Sequence, residues 1–256
     1  MQREPLFNVP TVIVVLLAAL AAIHGVREWL LSEEWDIWFV YTFAFVPARY
    51  DASIVLGGVL PGGFGAEIWT FVTYAFLHGS WTHYAVNAVW LLAFGSAVAR
   101  RFGAMRFLAF FAVTAAAGAL MHLVTNAGSP APMIGASASI SGAMAAAMRF
   151  AFQRGGPLGF MRGDEDESYR VPALPLTGVL SDPRVLIFLA VWFGINILFG
   201  LAATPLTGAN ESVAWQAHIG GFLAGLLLFS WFDPKPRAFP YDGPGDDDPD
   251  AMGHQP

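Results

Sequence analysis

Three polar clusters interrupt the apolar stretches of this 256-residue chain, and together they hold the ingredients of nucleophilic acyl transfer. The first is His83-Tyr84-Ala85-Val86-Asn87. Residues four apart on a helix lie about 40° apart and one turn along it, so His83 and Asn87 aim their donors at one spot. The second cluster, Gly135-Ala136-Ser137-Ala138-Ser139-Ile140-Ser141-Gly142, offers a serine hydroxyl. The third, His218-Ile219-Gly220-Gly221-Phe222-Leu223-Ala224-Gly225, sets an imidazole above a glycine groove, because positions 218, 221 and 225 share one helical face. A neighbouring imidazole is what turns a serine hydroxyl into a nucleophile, by taking its proton. Metal is disfavoured at His83, since a zinc site of His-Glu-x-x-His type needs a glutamate beside the first histidine and a second histidine where Asn87 stands. Each cluster also has a plainer account: small residues let helices pack closely in lipid, serines bond back to their own helix, and a single histidine fills a core.

The elements that carry these clusters are membrane spans. Hydrophobic residues make up 56% of the chain and charged ones 12%, against about 25% charged in an ordinary soluble domain. A soluble globule is excluded on that balance. The 13 Lys and Arg form no basic stripe and the formal net charge is −6, so a nucleic-acid partner is excluded too. The absence of cysteine removes disulfides, thiolate metal sites and a cysteine nucleophile. Of the charges, ten fall between Arg149 and Arg184 and eight from Asp233 onward. Uncharged runs extend from Pro5 to Val26, Ile68 to Ala99, Phe107 to Met148, Val185 to Asn210 and Ser212 to Phe232. A crossing helix needs roughly 20 residues, so the Phe107 to Met148 run holds two, split at Gly128-Ser129-Pro130-Ala131-Pro132.

The expected fold is therefore all-α, a polytopic bundle of six spans near 10–30, 82–99, 107–125, 136–153, 185–203 and 214–232. The first run also fits a cleaved signal peptide, although extension through Trp29-Leu30-Leu31 gives it a crossing length. A membrane domain over 1–232 is followed at 233–256 by an acidic, Pro/Gly-rich tail expected to be disordered in the cytoplasm. Arg100, Arg101 and Arg106 lie between spans two and three, Arg149, Arg154, Arg162, Arg170 and Arg184 around the loop between four and five, and Lys235 and Arg237 after six. By the positive-inside bias both termini are cytoplasmic, with Arg27 and Arg49 in the first outer loop running against the pattern. Spans two, four and six then run from outside to inside, which sets His83, Ser137 and His218 in one layer near the outer leaflet. Packing gives three such residues no reason to agree in depth, whereas a hydrolytic site must gather nucleophile, base and oxyanion donors around one carbonyl.

Taken together, Phe76-Leu77-His78-Gly79-Ser80-Trp81, the His83/Asn87 pair, the Ser137 cluster and Ala217-His218 with its glycines resemble the rhomboid family of intramembrane serine proteases, in its basic six-span form. The resemblance covers 68–232. It implies cleavage, without cofactor or metal, of a peptide bond in or beside the transmembrane segment of a single-span membrane protein, with Ser137 as nucleophile, His218 as its base, and His83 and Asn87 binding the oxyanion. It also implies that mobility of span five, with its bulky Trp192, Phe193 and Phe199, governs substrate entry. One residue departs from the family's Gly-x-Ser-Gly pattern: Ala138 follows Ser137, and its methyl is expected to crowd the oxyanion amides or hold the serine away from span six. Ser141 is a rival nucleophile one turn deeper.

No third carboxylate is evident. The nearest acid, Glu211, lies in the loop before span six, so the His218 imidazole is expected to be oriented by packing, an aromatic ring or a water. His78 reads as a structural residue at the outer end of span two, and His24 and His122 as core or interface histidines. The stretch Trp35 to Glu67 reads as an outer, half-embedded loop. Two other classes compete with the protease: a non-catalytic rhomboid-like protein that binds or chaperones single-span clients, supported by Ala138, and a solute transporter, against which the chain shows neither charged midplane sites nor a repeat between halves. A compact chain of this kind fits a bacterial plasma membrane.

Overall fold

The computed structural model describes residues 9–51, 53, 60–158, 165–207 and 214–234, leaving aside the side chains of 165, 166 and 199–207. Glu211, the Phe199 side chain and the tail from 235 onward lie outside the described residues. The described chain is helical with no strand, and an isolated bridge joins Phe45 to Met133. Helix α1 (Thr11–Leu30) leads into α2 (Glu33–Phe43), a 3-10 turn at Pro47–Tyr50, and α3 (Gly63–Thr73) with a 3-10 turn at Tyr74–Phe76. Next, α4 (Trp81–Trp90) passes through a π turn at Leu91–Gly95 into α5 (Ser96–Phe102), and α6 (Ala104–Thr125) and α7 (Ser137–Met148) follow. The short α8 (Glu165–Ser168) and α9 (Leu176–Ser181) precede α10 (Pro183–Thr207) and α11 (Trp215–Phe232).

Helices thus cover all six expected spans, with α4, the π turn and α5 forming the second. Only α1 and α6, among the described residues, are both long and apolar enough to cross a bilayer by that measure alone. The polar residues His83, Ser137 and His218 occupy the first turns of α4, α7 and α11, and α7 is just 12 residues long.

Small residues decide how the centre packs. Every residue of α7 from Ala138 to Met148 is buried, so its Ala, Gly and Ser side chains are what let neighbours approach on all sides. On α11, a Cβ at Gly221 would run into the backbone of Ala138, and one at Gly225 into the backbone of Gly142. A Cβ at Gly220 would lie 2.6 Å from Ala117 O of α6. Helices α6, α7 and α11 are therefore in near backbone contact, and no side chain larger than hydrogen fits at positions 220, 221 and 225.

Ionic contacts hold the two ends. At the far end of α7 from Ser137, Arg149 donates to Leu174 O at 2.6 Å and to Leu226 O at 3.3 Å. Arg101 makes a two-point pair with Asp233 at 2.6 and 2.8 Å and also donates to Tyr169 O and Val171 O. Asp182 accepts from the Arg184 backbone N–H at 2.9 Å at the start of α10, and the paired Arg184 guanidinium holds its carboxyl below its ordinary pKa. At the Ser137 end, the two arginines that ran against the charge pattern are engaged within the protein. Arg27 pairs with Asp36 at 2.7 Å and reaches His78 O at 2.8 Å, and Arg49 donates to Tyr41 O and Pro61 O.

The glycine seam predicts a contrast between two glycines. Gly225→Ala must push against the Gly142 backbone and is expected to cost about 1–3 kcal/mol, read as a lower thermal midpoint in detergent. Gly194→Ala on α10 meets nothing within 4 Å and is expected to leave the midpoint unchanged or raise it.

Candidate functional site

Ser137 is the first residue of α7, and the loop before it is fastened in three places. Phe45 and Met133 exchange backbone hydrogen bonds of 3.1 and 2.8 Å, Ala48 N–H donates to Ser129 O at 2.9 Å, and Gly135 N–H donates to Tyr74 O at 3.0 Å. Tyr74, fully buried, in turn donates its hydroxyl to Ala115 O of α6 at 2.9 Å. The serine therefore enters its helix from a fixed direction. Being in the first turn, the N–H groups of Ser137 and Ala138 have no intrahelical acceptor and carry the positive end of the helix dipole.

The side chains of Ser137 and His218 meet across the seam, with Ser137 Oγ and His218 Nε2 2.7 Å apart. Both keep part of their surface accessible. The glycines fix this distance, because Gly221, three residues beyond His218, sits directly against the Ala138 backbone. The other face of the imidazole is occupied in a way the sequence did not suggest. His218 Nδ1 is hydrogen-bonded to Oδ1 of Asn196, a buried residue of α10. Packing, an aromatic ring or a water was expected to orient the ring; a carboxamide from span five does so instead. Asn196 was missed because the search was for a carboxylate near span six. The signal was there, as this is the single carboxamide in the apolar run from Val185 to Ala203.

His83 lies beside the serine. Gly135 has φ +120°, and a Cβ built on it would fall 2.8 Å from His83 Nε2 and 3.7 Å from Ser137 Oγ. The missing side chain thus leaves a space bordered by both groups, in a backbone conformation that favours glycine. The buried Asn87 donates its amide back to His83 O at 3.1 Å. Asn87 lies one turn along α4 from His83, and that bond is intrahelical, so it commits one of the two amide hydrogens to the helix itself.

The methyl of Ala138 does not hold Ser137 away from α11. A Cβ on Gly118 of α6 would lie 2.6 Å from the Ala138 Cβ, so the alanine methyl occupies room left by a glycine on the neighbouring helix. The expected crowding is relieved there. Ser141 donates to Ser137 O at 2.7 Å, the back-bonding of a buried helix serine, whereas Ser139 donates across to Phe111 O of α6 at 2.8 Å.

Three further histidines of the described residues, His24, His78 and His122, are buried. His78 is fully buried, with its ring 5.1 Å from that of His83 and 5.7 Å from that of Tyr84. His24 stands edge-on to Trp81 at 4.6 Å, and His122 Nδ1 is paired with Asn126 Nδ2 at 3.2 Å. No group of three or more potential metal ligands occurs among the described residues.

The family model of the rhomboid domain matches residues 65–233. The chain is 24% identical over 162 residues to "Rhomboid protease GlpG" of Salmonella paratyphi A (strain ATCC 9150 / SARB42), covering 63% of this chain and 48% of that protein. It is 27% identical over 162 residues to "RHOMBOID-like protein 5" of Arabidopsis thaliana, covering 63% of this chain and 43% of that protein. The chain thus spans about half the length of the curated relatives it matches.

The geometry predicts a selective chemical signature. A serine-directed fluorophosphonate is expected to label Ser137, to fail on Ser137→Ala and His218→Ala, and to label Ser141→Ala as well as wild type, with peptide mass spectrometry locating the adduct.

Proposed function

This chain belongs to the rhomboid family, an integral membrane family, and from that premise we propose that it is an intramembrane serine endopeptidase that cleaves single-span membrane proteins in or beside their transmembrane segments. The observation that carries the reading is the 2.7 Å contact between Ser137 Oγ and His218 Nε2 at one end of a helix bundle.

In the proposed reaction, Ser137 Oγ attacks the scissile carbonyl carbon while His218 Nε2 takes the hydroxyl proton. The carbonyl oxygen becomes an oxyanion in the space beside Gly135, facing His83 and the helix N-terminus. As the C–N bond breaks, His218 returns the proton to the leaving amine, and an acyl-serine remains. A water, deprotonated by the same imidazole, then attacks the acyl carbon and frees the new carboxylate and the serine. Every proton is accounted for by one histidine, and the step requires neither metal nor cofactor.

The charge pattern of the loops supports the proposed orientation. Both termini face the cytoplasm and the site opens toward the extracytoplasmic side of a bacterial plasma membrane, where water reaches it. The acidic tail at 233–256 is a cytoplasmic appendage to a membrane domain over 1–232. A non-catalytic, client-binding role was favoured only by Ala138, and the room that Gly118 leaves for its methyl removes that support.

The test is cleavage of a panel of single-span helices by the purified chain in detergent, with products identified by mass spectrometry. Wild type is expected to cut and Ser137→Ala to be inert; turnover by Ser137→Ala would overturn the assignment. Removing one oxyanion donor, in His83→Ala or Asn87→Ala, is expected to lower kcat by about 10²-fold or more, with KM little changed.

A further inference from the structure

We propose that Asn196 is a positioning residue that fixes the tautomer of His218, and so decides the direction in which Ser137 can give up its proton; this rests on the serine-protease reading above. The carboxamide is itself oriented. Its Nδ2 donates to Trp192 O at 2.8 Å, one turn back on α10, which leaves Oδ1 as the atom that meets His218 Nδ1. A carboxamide oxygen accepts and does not donate, so the proton between them resides on Nδ1. A neutral imidazole carries one N–H, and with Nδ1 protonated its Nε2 lone pair faces Ser137 Oγ. The opposite tautomer would set two lone pairs against each other at Asn196 and aim an N–H at the serine, leaving the hydroxyl without a base.

Burial makes the arrangement exclusive. Asn196 is 6% exposed, and the rest of the Val185 to Ala203 run offers no other carboxamide, hydroxyl or charge. Both halves of its amide are paired in this one rotamer; turning it over would put Nδ2 against the N–H of His218 and Oδ1 against Trp192 O, repulsive on both sides. The residue is also neutral, so it orients the imidazole without burying an anion in the bundle.

Its location adds a condition. Helix α10 faces outward along Ile187, Val191, Ile195 and Leu198, and it packs on α11 through Trp192 and Phe193 against Phe222, with ring centroids 4.9 and 6.1 Å apart. Asn196 lies one turn beyond Trp192 on this stripe. The base is therefore set correctly when α10 is docked, and loses its orienting partner when that helix moves aside.

The experiment uses the full chain in detergent micelles with ¹⁵N-labelled histidine, the His218 signal being identified by its loss in His218→Gln. Nitrogen shifts separate protonated from lone-pair ring nitrogens. Wild type is expected to carry the His218 proton on Nδ1. Asn196→Leu, similar in size but without an acceptor, is expected to lose that preference, to react with a fluorophosphonate about 10²-fold more slowly, and to show the loss in kcat while KM stays within about twofold. Asn196→Asp, which keeps an acceptor oxygen, is expected to recover at least a tenth of the wild-type rate. A wild-type proton on Nε2, or Asn196→Leu reacting at the wild-type rate, would overturn the proposal. Wild-type protein that is not labelled at Ser137 at all would instead overturn the protease reading, and the tautomer measurement stands apart from either because it requires no turnover.

Discussion

The near-contact of the α7 and α11 backbones is the constraint on which the site depends. Two side chains as short as serine and histidine span the gap between helices only if the main chains approach closely, and that approach requires that Gly221 and Gly225 have no Cβ against Ala138 and Gly142. In lipid, where apolar surface gains little by leaving its surroundings, such packing is a main source of helix association. The same glycines therefore contribute to stability and set the Ser137–His218 distance, and a change that loosens one loosens the other.

Around this seam the protein restrains both ends of the serine's helix. Arg149 at the last turn of α7 bonds to two carbonyls from different segments, and the loop entering Ser137 is tied to Phe45, Ala48 and Tyr74. The segment containing α2 and α3 thus acts partly as a splint for residues 129–135. It also carries exposed aromatic residues, Trp35, Trp38 and Phe64 among them, which suit the membrane–water boundary.

Much of this was legible in the sequence because lipid permits few solutions. Charge-free runs of crossing length gave the helices, and the shared depth of His83, Ser137 and His218 gave the candidate site. What escaped was lateral. Nothing in a one-dimensional reading says that Asn196, well inside an apolar run, faces His218 and not lipid, or that Gly118 stands opposite Ala138. Those facts depend on rotation about helix axes, which α6, α7, α10 and α11 conceal by carrying small or apolar residues nearly all round. The four-residue spacing of His83 and Asn87 likewise does not reveal that the Asn87 amide also donates back to its own helix.

The pairing of Ala138 with Gly118 alters how a short motif should be understood. The demand behind a glycine after the serine is for an absent methyl at one point between two helices, and either helix can meet it. Here the vacancy has migrated to α6, where Gly118 also adjoins Ala217 O, at 2.9 Å from any Cβ it might bear. A pattern search restricted to the four residues around Ser137 would discard this chain. One that scores the volume shared by positions 118 and 138 would keep it.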